Sequence, residues 1–193
     1  MVTSPSEVVT VPVGFPAGFG APDADGYPRM LVRMGGSFYS TDVESYDLWW
    51  QVPHHGSVRE LLLWAEADGI SGPKDRLRKL VDDRLIAEFS AESRHAFLRH
   101  YRLLPNGIGT GQDQSDGNLC TVRGHDMKVL IQTDPVTYAV WATSDGSRSL
   151  ADVCVNVGVE LGLDVSVVEA TIAEALVPLV QVAVAFVDSI AVA

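Results

Sequence analysis

The sequence predicts an α+β fold in which one unit occurs twice in tandem. Three observations predict it. Thr41, Asp42, Tyr46 and Trp49 return as Thr133, Asp134, Tyr138 and Trp141, each 92 residues on. At the same offset Ser57-Val58 matches Ser149-Leu150, and Glu60-Leu61 matches Asp152-Val153. Each copy also reads as the same series: a hairpin, three helices and a strand. Tyrosine and tryptophan are rare, so chance does not explain this spacing. A period this long marks a duplicated domain, because solenoid repeats run about 20–50 residues.

The elements follow in order. Residues 1–27 carry Pro5, Pro12, Pro16 and Pro22, with Pro28 next. That spacing suits an extended N-terminal arm and blocks helix. Residues 28–90 form the first domain. Two β-prone runs, 30–34 and 37–41, flank Gly35-Gly36 as a hairpin. Asp42 stands where an N-cap belongs, and Tyr46 and Trp49 share one helical face, as core aromatics do. Ser57 caps a second helix over Val58–Ala67 that Gly69 ends. A third helix follows Pro73, with Leu77, Leu80 and Val81 inward. A strand over 85–89 closes the domain.

The second domain, 118–193, repeats this plan. Its hairpin strands are 119–122 and 127–131. Asp134 caps a helix opened by Pro135, and Ser149 caps Leu150–Leu161. The third helix carries Val165, Val168, Ile172, Ala175, Leu176 and Leu179 and is expected to stop at Pro178. A strand over 180–187 follows. Between the domains, residues 91–117 read as a connector helix, 91–104, and a loop rich in glycine. The second and third helices of each copy form a helix-turn-helix-like pair. With the flanking strands, each domain reads as winged-helix-like.

Composition narrows the function. The 193 residues are 47% hydrophobic and 20% charged, a globular composition. A net charge of −11 disfavours generic nucleic-acid binding. Two cysteines, Cys120 and Cys154, rule out a disulfide scaffold and sit in apolar-periodic segments, where cysteine packs as a small hydrophobe. Arg29 is the first basic residue, so no signal-peptide n-region is visible. The apolar tail is interrupted at Pro178, Gln181, Asp188 and Ser189, too often for a membrane span. The expected compartment is the cytoplasm.

Copy two contains Tyr138, Trp141, Asp145-Gly146, Arg148-Ser149-Leu150 and Asp152-Val153 in series. This series resembles the PqqD-like family, the recognition elements for precursor peptides of ribosomally made, modified peptides. Copy one carries it less well, with His54-His55-Gly56-Ser57-Val58 in place of the Asp-Gly turn. The resemblance covers about residues 28–90 and 118–188, and a tandem arrangement departs from the usual single domain. It implies a non-catalytic accessory protein that binds a leader peptide, or a partner modifying enzyme, and needs no cofactor. Members bind the leader as an added strand, β-augmentation. Carried onto copy one, the strand edge is Phe38, Tyr39, Ser40 and Thr41, facing Lys74, Arg76, Arg78 and Lys79 on the third helix.

That helix is a basic cluster in an acidic chain. It reads either as a solvated face with internal ion pairs or as an anion-contacting surface for an acidic leader or phosphates. The matching helix of copy two has Glu169 and Glu174 and no basic residue. Two other readings compete. A winged-helix transcription regulator would place the third helix of copy one in the major groove. A small cyclase or lyase would draw on His95, His100, Tyr101 and the 106–118 loop, although no acid–base pair can be placed within reach. Metal binding at His54-His55, or at His95 and His100, lacks the needed ligand count and spacing. His125 beside Asp126, the Asp23–Gly26 segment and residues 113–118 read as turns. The apolar second copy is compatible with a homodimer or a stable enzyme complex.

Overall fold

The computed structural model describes residues 8–112 and 118–190. They divide into two units, 8–88 and 89–190. Parts of the expected arm (1–7), the 105–118 loop (113–117) and the C-terminal end (191–193) lie outside the described residues.

In the first unit β1 (Val9–Pro12) pairs with β5 (Ile86–Phe89), and β2 (Phe15–Gly20), β3 (Arg29–Met34) and β4 (Ser37–Asp42) form an antiparallel sheet in that order. The helices are α1 (Val43–Gln51), α2 (Val58–Ala67) and α3 (Pro73–Asp82), with a 3-10 turn, Val52–His54, after α1. Their ends follow sequence signals. Asp42 caps α1 through the Ser45 amide, and Ser57 caps α2 through the Glu60 amide. The core gathers Val32, Leu48, Trp49, Leu61, Leu77, Leu80 and Ile86. Burial of such side chains stabilises by about 1.5–3 kcal/mol each before entropy is counted.

One carbonyl ties this unit together. Leu85 O accepts the Trp49 indole N–H at 2.9 Å and the Val13 amide at 2.8 Å. It is presented by a left-handed residue, Arg84 (φ 61°), which ends α3 with the Leu85 amide donating to Leu80 O at 2.9 Å.

The second unit opens with α4 (Arg94–His100) and continues through β6 (Tyr101–Pro105), β7 (Ile108–Gln112), β8 (Cys120–Arg123) and β9 (Val129–Thr133). Helices α5 (Pro135–Thr143), α6 (Leu150–Leu161) and α7 (Val165–Gln181) precede β10 (Ala185–Ser189). β10 pairs antiparallel with β6, and β7-β8-β9 form a sheet. Here too one carbonyl joins the parts. Val184 O accepts the Trp141 indole at 2.8 Å and the Asn106 amide at 2.7 Å, after left-handed Ala183 (φ 54°).

The duplication is therefore longer than the sequence pattern predicts. The expected arm contributes β1 and β2 to the first unit. Its counterpart, expected as connector helix and loop, contributes β6 and β7 to the second. The helix stops at His100 because 101–105 finds a strand partner in β10, where Arg102 lies opposite Asp188 and bonds its carboxylate at 2.6 Å. Tertiary pairing overrides local helix preference. Proline limits a third expectation only weakly. α7 runs through Pro178 to Gln181, because Leu176, Leu179 and Val180 on either side of it are buried.

Two glycines explain the strand entries. Gly14 (φ +91°) and Gly107 (φ +148°) occupy matching places, and a Cβ at either would lie 2.5 Å from Arg33 O or 2.9 Å from Arg123 O. Each is followed by an irregularity, between Pro16 and Gly18 in β2 and between Gly109 and Gly111 in β7. The glycine-rich stretch is thus a strand lying on the Tyr138–Trp141 aromatic pair, with the Gly111 amide donating to Tyr138 Oη at 3.0 Å.

Candidate functional site

β4 is the outer strand of its sheet and, among the described residues, pairs only with β3. The tight turn at Gly35-Gly36 sets Met34 opposite Ser37, then Val32 opposite Tyr39 and Met30 opposite Thr41. In an antiparallel ladder alternate pairs exchange hydrogen bonds. The main-chain groups of Phe38 and Ser40 therefore point to the open side. One is already taken: Arg29 donates through Nη2 to Ser40 O at 3.0 Å and through Nε to Ser40 Oγ at 3.2 Å.

Between this edge and α3 lies a cleft of about 140 Å³. Tyr39, Ser40 and Thr41 line it from β4, Arg76, Lys79 and Leu80 from α3, with Arg29 and Leu85 contributing. So five of the eight residues picked from sequence converge there. Phe38 lies on the same strand but is 63% exposed and does not line the cleft. Lys74 and Arg78 are exposed elsewhere on α3 and do not line it either.

The charges in the cleft are mostly paired. Arg76 Nη1 bonds Asp42 Oδ1 at 2.6 Å and Ser45 Oγ at 2.9 Å, and its Nη2 pairs with Glu44. Lys79 pairs with Asp83 at 2.7 Å, and outside the cleft Arg78 pairs with Asp75 at 3.5 Å. Burial alone raises the Asp42 carboxyl, but the Ser45 bonds and the Arg76 charge outweigh it and hold the group below its ordinary range. Glu44 is also lowered, chiefly by the Ser71 hydroxyl and then by the Ser71 amide and Arg76. Arg76 thus serves as the clamp of an internal cluster, and the anion-contacting surface read from sequence is largely neutralised. The first unit's cleft combines main-chain donors and acceptors with a half-apolar floor.

Matched back from Leu80 and Leu179, whose carbonyls accept the Leu85 and Val184 amides, the positions of Arg76, Arg78 and Lys79 hold Ala175, Val177 and Pro178. Asp134 keeps its capping role, accepting from Val136 and Thr137 amides at 2.9 Å. The second unit therefore repeats the scaffold without the ion cluster.

Two residues of the enzymatic reading have partners in the fold, and one of them makes a histidine–carboxylate pair that the sequence did not place within reach. His95 Nδ1 lies 2.7 Å from Glu169 Oε1, and His100 Nδ1 lies 2.7 Å from the carbonyl of Ala96 in its own helix. Burial, with the Glu169 charge adding, pushes the Cys154 thiol up to about 12, the opposite of an activated nucleophile. No helix among the described residues is long and apolar enough to cross a membrane.

Sequence reasoning missed Arg29, Ser45 and Leu85 at this site. It also missed a signal for the extra strands: Pro12-x-Gly14-x3-Gly18 recurs as Pro105-x-Gly107-x3-Gly111. Compared with known protein families, curated proteins and solved structures, the chain matches none.

Proposed function

We propose that this chain is a non-catalytic peptide-binding protein built of two winged-helix-like domains. It takes an extended segment, the leader of a ribosomally made precursor, as an added strand on β4. It then presents that precursor to a separate modifying enzyme in the cytoplasm. The observation that carries this reading is the open β4 edge beside the β4–α3 cleft. Strand addition supplies affinity through main-chain bonds, and a flanking cleft supplies selection through side chains. The PqqD-like resemblance of the Asp145-Gly146 region points the same way.

The test uses random linear peptides displayed as a library and selected on the full chain, followed by titration of the recovered sequences. Ser40→Pro removes an outward N–H without touching the ladder to β3, so it should abolish binding and leave the fold intact. A random DNA duplex is titrated beside the peptides at low and physiological salt. Lys74 and Arg78 on α3 are exposed as a recognition helix requires. DNA binding that falls steeply with salt, with no peptide recovered, would replace this reading by the regulator.

A further inference from the structure

The α6–α7 corner of the second unit carries aliphatic surface that its core does not use. Val155, Val159, Leu163 and Val167 follow one another at four-residue spacing, 46%, 77%, 38% and 50% exposed. Val155 and Val159 share one face of α6. The Leu163 amide donates to Gly158 O at 2.9 Å, which folds the turn back onto the end of that helix. The inner face of α6 is already filled: Val153, Cys154 and Val157 are at most 2% exposed, as is Val168 on α7.

The first unit serves as an internal control. The positions of Val155 and Val159, 92 residues earlier, hold Leu63, itself 57% exposed, and Ala67, and those of Leu163 and Val167 hold Ser71 and Asp75. Nearly the same elements therefore form with one large exposed aliphatic side chain, Leu63, where the second unit has four. An exposed apolar patch of this kind, where the scaffold does not need it, marks an interaction site.

The rim identifies the partner's chemistry. Asp152, Glu160 and Asp164 are exposed around the stripe, and no residue from 149 to 193 is Lys or Arg. Asp164 accepts from the Ser166 amide and hydroxyl, which favours its ionised form. A second copy docked here by two-fold symmetry would set these carboxylates against each other, and like charges across an interface are costly. An anionic membrane meets the same repulsion.

We propose that the stripe is a docking surface for a basic amphipathic helix of a partner protein. Aliphatic residues at helical spacing would lie on Val155, Val159, Leu163 and Val167, and flanking Lys or Arg would pair with Asp152, Glu160 and Asp164. This surface belongs to the second unit, and its argument does not rest on the β4 reading.

The probe is a dansyl-labelled synthetic helix of leucine and lysine with one apolar face, beside an analogue with glutamate for lysine. Both are titrated against the full chain at physiological salt. The lysine helix should bind saturably and about tenfold or more tighter than the glutamate helix. Val155→Ser with Val159→Ser removes apolar surface without changing charge, and should weaken binding about tenfold. Asp152→Asn with Glu160→Gln should erase the preference for lysine. Circular dichroism checks that the variants keep their fold. The proposal is overturned by lysine-helix binding that ignores the valine substitutions, or by no binding. Self-association of the chain that Val159→Ser abolishes would overturn it as well, assigning the face to a second copy.

Discussion

Arg76 in α3 and Asp42 at the end of β4 meet at 2.6 Å, and the same Asp42 carboxylate accepts the Ser45 amide that starts α1. One side chain thus joins the last residue of the edge strand, the first turn of a helix and the helix facing the cleft. This relationship fixes the walls of the candidate site before any ligand arrives.

Asp42 separates its two roles by substitution. Asn caps helices about as well as Asp, so Asp42→Asn isolates the ion pair. With the two side chains 25% and 44% exposed, it should cost less than about 1 kcal/mol. Asp42→Ala also removes the cap and should cost about 1 kcal/mol more. Urea unfolding measures both. The folded Asp42 carboxyl is lowered, so its contribution is full above the ordinary carboxylate value and lost as pH falls through the folded value. The gap between wild type and Asp42→Asn should therefore close in acid.

Gly14→Ala and Gly107→Ala should each destabilise by more than about 1 kcal/mol, because strain at positive φ adds to collision with a carbonyl. Gly26→Ala is the control. Its φ is +83° but nothing lies within 4 Å of the added Cβ, so only the conformational cost remains. Thermal melts of the three variants rank these effects, and an equal loss at all three would refute the packing argument.

Trp49→Phe and Trp141→Phe remove matching indole donors, the first shared by Leu85 O and Val13 O and the second bonded to Val184 O. Each should lose about 1–3 kcal/mol by unfolding in denaturant, since a buried bond goes and a gap replaces it.

Arg29 occupies an outward carbonyl on β4, so an added strand must displace it. Arg29→Ala should strengthen peptide binding several-fold, and it should also raise self-association through the unguarded edge. Fluorescence anisotropy and sedimentation read the two effects. Unchanged affinity would place the bound strand somewhere other than beside Ser40.

Cys120 and Cys154 are buried, and burial raises both thiols. Neither should react with iodoacetamide in the native protein, while both should react in urea, as mass spectrometry of the intact chain would report.

Much of the fold was legible because its signals are local. Asp42, Asp134, Ser57 and Ser149 cap the helices that their spacing announces, and α2 and α6 keep the bounds read from sequence. Glycine and proline misled because their meaning depends on a distant partner. The proline-rich 9–20 segment and the glycine-rich 108–112 segment look like arm and loop until β5, β3 and β8 are there to pair with them. At the candidate site the sequence identified β4 and α3 as facing elements. It did not identify the charge balance between them, because Arg76 is 34 residues from Asp42 and basic residues look free until a fold supplies their counter-ions. By itself, then, the sequence determined the duplicated order of elements and their capped ends, which rest on contacts within a few residues. Only the tertiary structure decided the extra strand in each small sheet, the guarded β4 edge and the neutralised cleft. Those depend on pairing across the chain, where geometry rather than spacing sets which groups meet.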